Sequence, residues 1–272
     1  MSYRIVTLYS GSGGNCTLVS ACGTSILIDA GKSARALCSA LREAGSDISE
    51  ISAIFITHEH CDHVSALEIL CKSHAIPVHM TEGSAKKFDR HPDSYVHSNL
   101  VRHDTLFCEQ IGALRVSSFR TSHDSNMSVG YRIEFCDKDG NHALGLATDT
   151  GYVPSSTREG LCGCEAVVLE SNHDDDMLDS GPYPYHLKVR IRSPRGHLSN
   201  VACAELAADL AASGTRAFIL AHLSEENNRP DLALDETRCS ISDPSVTILV
   251  AAPDSCVELR AAEIQEAKLC LE

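Results

Sequence analysis

The side chains best suited to chemistry are concentrated in residues 58–63, which read HEHCDH and directly follow the apolar run 51–57. Packing does not require three imidazoles and two carboxylates within six residues. Imidazole and carboxylate groups are the ligands that zinc and manganese prefer in N/O sites. The hexapeptide therefore predicts a hydrolytic site that holds metal ions.

The spacing of this motif predicts two ions. On extended backbone, His58 and His60 lie at i and i+2, so both side chains point the same way and can bind one ion. The following turn brings Asp62 and His63 to a second ion, about 3.5–4 Å away in two-metal hydrolases. Asp149 is the natural bridge, because a carboxylate has two oxygens. We expect two divalent ions per chain, either zinc or manganese.

The other candidate ligands each come directly after a predicted strand, and they are Asp29, His123, Asp149 and His222. Open sheets place their sites beyond the carboxyl ends of strands, where such residues can meet the hexapeptide. Any one of them alone is typical of a loop cap or a satisfied core group. Their combination is specific, and it predicts one shared site.

Two packed sheets are needed to bring these strand ends together. Short β-branched apolar runs predict strands over 3–9, 16–20, 24–29, 53–57, 76–80, 113–119, 128–136, 142–148, 165–170, 216–221 and 246–250. Helical patterns cover 33–44, 64–74, 83–89, 185–193, 199–213 and 230–239. Strands lead each half and then alternate with helices. This order predicts an α/β four-layer αββα sandwich of two mixed sheets, in a single domain over 1–272.

Composition favours a cytoplasmic enzyme. Apolar residues make up 43% of the chain, and it shows neither a secretory leader nor a run of transmembrane length. The thirteen cysteines are scattered without a CxxC pair, so we expect no disulfide framework or zinc ribbon. Most should be small buried thiols.

The net charge of −14 argues against a nucleic-acid partner, because binding a phosphate backbone normally needs a positive surface. Residues 186–198 are the exception. They contain no acidic residue, and their cations are Lys188, Arg190, Arg192 and Arg195. We call these four cations the basic segment. It indicates either substrate phosphate binding or a solvated helix face.

The ordered pattern resembles the metallo-β-lactamase superfamily over nearly the whole chain. The matching positions are Asp29, His58, His60, Asp62, His63, His123, Asp149 and His222. The resemblance implies that fold, with a first metal on His58, His60 and His123. It implies a second metal on Asp62, His63 and His222, with Asp149 shared and Asp29 supporting the ligands.

Four segments are similar to the YycJ/WalJ branch of bacterial exonuclease-like proteins, and they are 10–17 (SGSGGNCT), 170–174 (ESNHD), 193–200 (SPRGHLSN) and 221–228 (AHLSEENN). The resemblance implies a DNA exonuclease that acts from the 5′ end and is associated with repair. Gly13-Gly14 departs from it, because serine is expected there. The 73 positions from Asp149 to His222 leave no room for the inserted domain of the β-CASP nucleases.

The expected nucleophile is a water that bridges the two metals and is activated by them, attacking phosphorus in line. Asp62 is expected to orient this water as well as to bind metal. His197 is a candidate for stabilising the phosphate or protonating the leaving oxygen. The alternative is that His197 only precedes Ser199, which would cap helix 199–213.

Two other functions remain open from the sequence. A thioester or lactone hydrolase on the same fold would need an apolar acyl pocket, and a non-catalytic regulatory module would not need the complete ligand set. A third metal site at His173 with Asp174, Asp175 and Asp176 is a further possibility. A solvated loop is the simpler interpretation of these four polar residues.

Overall fold

The computed structural model describes residues 3–264. Its strands are β1 Arg4–Tyr9, β2 Cys16–Ala21, β3 Thr24–Ile28, β4 Ile51–Phe55, β5 Val78–Thr81, β6 Leu100–His103, β7 Cys108–Ile111, β8 Leu114–Arg120, β9 Val129–Asp137, β10 Gly140–Ala147, β11 Ala166–Glu170, β12 Ala217–Ala221, β13 Thr247–Val250 and β14 Val257–Arg260. Its α-helices are α1 Ala34–Glu43, α2 Cys61–Val64, α3 Leu67–Ser73, α4 Glu82–Ala85, α5 Tyr95–Asn99, α6 Ser155–Leu161, α7 Asp175–Ser180, α8 Tyr185–Arg192, α9 Asn200–Ala212 and α10 Pro230–Ser240.

The strands form two mixed sheets of seven strands each. The first has the order β14-β1-β2-β3-β4-β5-β6 and the second the order β13-β12-β11-β10-β9-β8-β7. Pairing is antiparallel from β14 to β3 and parallel from β3 to β6. It is likewise antiparallel from β7 to β10 and parallel from β10 to β13. The parallel part of each sheet thus aligns several strand carboxyl ends along one edge.

Three apolar layers hold the sandwich together. The layer between the sheets includes Ile26 and Phe55 of one sheet and Ile133 and Val168 of the other. A second layer packs α1 and α3 on the first sheet, and a third packs α6, α9 and α10 on the second. This arrangement confirms the αββα fold. None of the helices in the described part combines the length and hydropathy that a membrane span requires.

Most of the elements follow the sequence patterns. Ser199 caps α9 by accepting from the Ala202 amide, and Pro230 occupies the first turn of α10, as predicted. The patterns missed β6, β7 and β14, which are short strands with few buried residues and therefore lack a continuous apolar run. They also missed α5, α6 and α7, and only three residues of predicted helix 83–89, residues 83–85, lie in α4.

The cysteine prediction was partly wrong. Every cysteine in the described residues is free, as expected, but only four of the twelve are buried. The exposed ones are Cys61, Cys108, Cys136, Cys162 and Cys239. Most of these exposed thiols lie in loops or at the ends of strands and helices. Burial at such positions is harder to predict from sequence hydropathy than burial in the core.

Close backbone contacts join the residue before β2 and the loop after β3 to the hexapeptide. The Asn15 amide donates to the Asp62 carbonyl over 2.8 Å, and the Ala30 amide donates to the His63 carbonyl over 2.8 Å. Gly31 is packed between them, since a Cβ built there would lie 1.9 Å from the Asp62 carbonyl oxygen. The absence of a side chain at Gly31 therefore allows the backbone of Asp62 to lie this close.

We predict that Gly31→Ala lowers the free energy of unfolding by about 1–3 kcal/mol, the usual cost of overpacking a buried site. Gly13→Ala is the matched control, because nothing lies within 4 Å of a Cβ at that position. Denaturant unfolding of both variants measures the difference. Equal stability of the two variants would contradict the packing role assigned to Gly31.

Candidate metal centre

Three non-glycine residues with left-handed backbone follow strand ends at one edge of the sandwich. Asp29 after β3 has φ 63°, Asp149 close after β10 has φ 55°, and His222 after β12 has φ 58°. This conformation is costly for residues with a Cβ, and such strain clusters at functional sites. At each of these three residues the chain turns away just after the strand ends, so the polar side chain lies at the turn.

His58, His60 and His123 form the first cluster of candidate ligands. One ring nitrogen from each lies within 4.8 Å of the others. The ring centroid of His58 lies 4.5 Å from that of His60 and 4.9 Å from that of His123. The structure thus brings together the three residues predicted to share one ion.

Asp62, His63 and His222 form the second cluster, again with ligand atoms within 4.8 Å of one another. Asp149 lies between the two clusters. Its Oδ2 is 3.3 Å from His63 Nε2, and its Oδ1 is 3.6 Å from His222 Nε2 and 3.7 Å from His123 Nε2. Both carboxylate oxygens of Asp149 therefore face imidazole nitrogens, as a bridging position requires.

Three buried ligand atoms in these clusters lack hydrogen-bond partners among the described residues, and they are His58 Nε2, Asp149 Oδ2 and His222 Nε2. A buried polar atom without a partner costs about 1–3 kcal/mol. A cation placed among these atoms would remove that cost. The donor set and its unpaired atoms fit divalent metal.

Asp29 holds the ligands from behind. Its Oδ2 is 2.8 Å from His63 Nδ1, and its Oδ1 accepts from the Thr57 amide over 2.8 Å. The Thr57 hydroxyl also contacts this carboxylate, at 2.9 Å from Oδ2. Since Nδ1 of His63 is occupied, Nε2 is the nitrogen left for metal. Thr57 carried no signal in the sequence.

Glu170 contacts both His197 and His222, although no sequence pattern placed it in the site. It is fully buried at the end of β11. Its Oε1 lies 2.8 Å from His197 Nδ1 and 3.2 Å from His222 Nδ1, and its Oε2 accepts from the Thr150 amide over 2.7 Å. The strand-end rule that found Asp149 applies equally to Glu170.

Two asparagines also contact the clusters. Asn15 Nδ2 lies 3.3 Å from Asp62 Oδ2, and its Oδ1 accepts from the Gly11 amide over 3.0 Å. Asn172 Nδ2 donates to the His222 carbonyl over 2.8 Å. The glycine-rich connection between β1 and β2 therefore helps to position Asp62.

The pKa shifts of the histidines have opposite directions in the two clusters. Burial lowers the pKa of His58 well below its ordinary value, with His63 and His123 adding to the effect, so this imidazole is neutral and able to bind metal. Burial also acts to lower the pKa of His63, but Asp29 and Asp149 outweigh it and raise that pKa well above its usual range. The second cluster thus favours positive charge.

His197 lies beside the clusters, in the loop between α8 and α9. Its Nδ1 is 3.7 Å from Asp149 Oδ1, besides its contact with Glu170. Because Glu170 occupies Nδ1, Nε2 is the nitrogen left for a substrate. Its location is compatible with both interpretations from the sequence, since Ser199 does cap α9.

The structure divides the basic segment into two halves. Lys188 Nζ donates to the carbonyls of Asp179 and Gly181 over 2.7 and 2.8 Å, and Arg192 donates to the Asp175 carbonyl over 2.9 Å. Both cations are therefore tied to α7. Their predicted role in phosphate binding stays a prediction, and these contacts do not favour it.

Arg190 and Arg195 lie closer to the clusters. Arg190 Nε donates to Asp124 Oδ2 over 2.6 Å, and Asp124 Oδ1 is 3.3 Å from His123 Nε2. Arg195 Nε donates to the His123 carbonyl over 3.2 Å. These two cations border the site, although Asp124 already neutralises Arg190.

The interpretation of residues 173–176 as a solvated loop was wrong. His173 is 2% exposed and pairs with Ser199 as an isolated bridge, whereas Asp174 caps α7 by accepting from the Met177 amide over 2.8 Å. Helix capping explains the acidic run. His173 belongs to none of the candidate metal groups among the described residues.

Comparison with known proteins agrees with this geometry. The family described as "Beta-lactamase superfamily domain" matches residues 24–223. The chain is 34% identical to exodeoxyribonuclease YycJ of Bacillus anthracis over 86% of this chain and 87% of that protein. It is 32% identical to exodeoxyribonuclease WalJ of Streptococcus pneumoniae over 86% of each.

Solved structures support the same fold. The metallo-β-lactamase fold protein YhfI from Bacillus subtilis has a TM-score of 0.72 at 17% identity, covering 95% of this chain and 99% of that one. Zn²⁺-bound PqqB from Methylobacterium extorquens has a TM-score of 0.68 at 20% identity, covering 94% and 100%. With the His/Asp clusters, the curated relatives show a metal-dependent hydrolase. The chain belongs to the metallo-β-lactamase superfamily and, within it, to the YycJ/WalJ family.

Proposed function

We propose that this hydrolase is a phosphodiesterase that degrades DNA from the 5′ end. The observation that carries the proposal is the pair of ligand clusters joined by Asp149, with unpaired buried ligand atoms on both sides of it. Relatives at 32–34% identity bear the name exodeoxyribonuclease. A role in DNA repair, a cytoplasmic location and a one-domain organisation over 1–272 are part of the same proposal.

The proposed cofactors are two divalent ions per chain, zinc or manganese. His58, His60 and His123 would hold one, Asp62, His63 and His222 the other, and Asp149 both. When bound, such ions supply an activated water and neutralise charge on the phosphoryl oxygens. No sulfur ligand is needed, and the exposed Cys61 belongs to none of the described candidate groups.

The remaining work falls to protein groups. Asp62 is held by Asn15 at 3.3 Å, which keeps its carboxylate directed at the clusters and able to orient the attacking water. Glu170 fixes the His197 ring through Nδ1. A histidine held in this way can donate a proton from Nε2 to the leaving oxygen or bind a phosphoryl oxygen.

We expect Asp149→Asn to lose at least one tightly bound ion per chain and to abolish hydrolysis, because an amide cannot bridge two cations with two anionic oxygens. Asparagine tolerates the left-handed backbone, so the fold should persist. Metal content after dialysis, measured by plasma mass spectrometry, tests this expectation. Asp176→Asn, an exposed position on α7, is the control. Two ions held as tightly as in the wild type would refute the bridge.

His197→Ala should keep both metals and the fold yet lose about 10²–10⁴-fold in single-turnover rate, the usual contribution of a general acid or base. His186→Ala is the matched control, because His186 is exposed on α8. An unchanged rate for His197→Ala would remove this residue from the chemistry and leave it as the residue that precedes the α9 cap.

The substrate assignment is tested on linear and closed-circular DNA, with each end labelled in turn. We expect release of nucleotides from the 5′ end of the linear DNA and no cleavage of the circle. Asp149→Asn protein prepared in parallel controls for contaminating nucleases. Equal cleavage of the circle would exclude end-directed action. If neither DNA is cleaved and a thioester or lactone is hydrolysed rapidly, the result would favour the acyl-hydrolase alternative.

A further inference from the structure

A separate pocket of about 280 Å³ adjoins the first ligand cluster. Most of its wall is the 121–128 loop between β8 and β9, and the rest includes Arg120, Thr105 and Arg195. His123 belongs to both the pocket and the cluster. A molecule bound at the first ligand cluster would therefore have this pocket on the other side of His123.

The pocket is positive although the whole chain carries a net charge of −14. Arg120 and Arg195 line it, and none of the described lining residues is acidic. The Arg120 guanidinium makes no hydrogen bond or ion pair within the described residues, and Arg195 contacts only the carbonyls of His123 and Ser125 through its guanidinium. Neither arginine has a carboxylate partner, unlike Arg190, which pairs with Asp124.

Hydroxyl groups complete the wall. Thr121 Oγ1 and Ser125 Oγ are buried without a hydrogen-bond partner among the described residues. Unpaired buried hydroxyls are rare because each costs free energy of folding, so they call for a ligand or water. Two guanidinium groups combined with hydroxyl donors form a recognition set for phosphate oxygens.

The loop that carries these groups is anchored to the hexapeptide. Glu59 Oε1 accepts from the Asn126 amide over 2.8 Å, and Glu59 Oε2 accepts from the Ser84 hydroxyl over 2.9 Å. Arg195 holds the same loop from the opposite side, through the His123 carbonyl. The pocket is thus fixed relative to the metal clusters before any substrate binds.

We infer that this pocket is a subsite for a second phosphate of the substrate strand, next to the phosphodiester that is cleaved. This inference rests on the proposed function. It deepens that function, because a substrate needs two phosphates to use both positions. The cations that position the strand are then Arg120 and Arg195, and Lys188 and Arg192 serve α7.

The first experiment compares Arg120→Gln with Arg35→Gln, which removes the same charge from an exposed position on α1. Cleavage of an oligonucleotide should lose about 10-fold in kcat/KM in Arg120→Gln, the scale of one charge-assisted hydrogen bond. Hydrolysis of bis(p-nitrophenyl) phosphate, which has a single phosphate, should not change. Equal losses on both substrates, or no loss on the oligonucleotide, would overturn the subsite.

A binding measurement keeps the inference separate from the proposed activity. Anisotropy of a labelled single-stranded 8-mer in EDTA should give a weaker Kd for Arg120→Gln than for Arg35→Gln. The slope of log K against log salt should fall by about 0.7, the value for one lost contact on a single strand. An unchanged Kd and slope would overturn the subsite even in an active enzyme. A changed Kd in a protein that cleaves no DNA would support the subsite and refute the nuclease.

Ser125→Ala is a variant in which a loss of oligonucleotide binding could not be attributed to misfolding. Its hydroxyl has no partner to lose, so the unfolding midpoint should stay the same or rise, whereas oligonucleotide binding should weaken about threefold. Unchanged binding would contradict the assignment of the hydroxyl to phosphate. Comparing oligonucleotides with and without a 5′ phosphate shows whether the subsite binds a terminal or an internal phosphate. A larger effect of Arg120→Gln on the binding of either form supports the subsite.

Discussion

The burial of Asp149 between two groups of imidazoles is the constraint on which the site depends. A carboxylate that is 2% exposed needs compensating positive charge, because desolvation of an unpaired charge costs several kcal/mol. His63, His123 and His222 lie within 3.7 Å of it, yet Oδ2 still has no hydrogen-bond partner in the described structure. Protein groups alone leave the carboxylate incompletely satisfied, and divalent cations would complete it.

The architecture supplies that burial. Because β3 lies in one sheet and β10 and β12 lie in the other, the sandwich brings their ends together from opposite sides. Left-handed backbone at Asp29, Asp149 and His222 then turns the chain sharply at each end. The folding free energy of the three apolar layers offsets this local strain, so the strained residues can be retained where chemistry needs them.

The fold and the meeting of the candidate ligands at strand ends could be predicted from local sequence patterns, whereas the division of His123 and His222 between the two clusters came from the family resemblance. Strand ends are marked by apolar runs, and HEHCDH contains four of the clustered residues within six positions. Thr57 and Asn15 could not be predicted in the same way. Their roles come from contacts across different loops, and neither residue type indicates a metal site by itself.

The ion pairs of the arginines were the property that could be predicted least well from local sequence. Residues 186–198 contain no acid, but Arg190 pairs with Asp124 and Arg192 with Asp179, which lie 66 and 13 positions away. Two of the four cations of the basic segment are therefore neutralised by distant carboxylates in the fold. The reverse holds at the 121–128 loop, where hydroxyl residues form a positive pocket with the adjacent Arg120 and the distant Arg195. In an acidic protein, a small pocket of this kind would confine attraction to a few phosphates beside the ligand clusters, as the proposed action at a strand end requires.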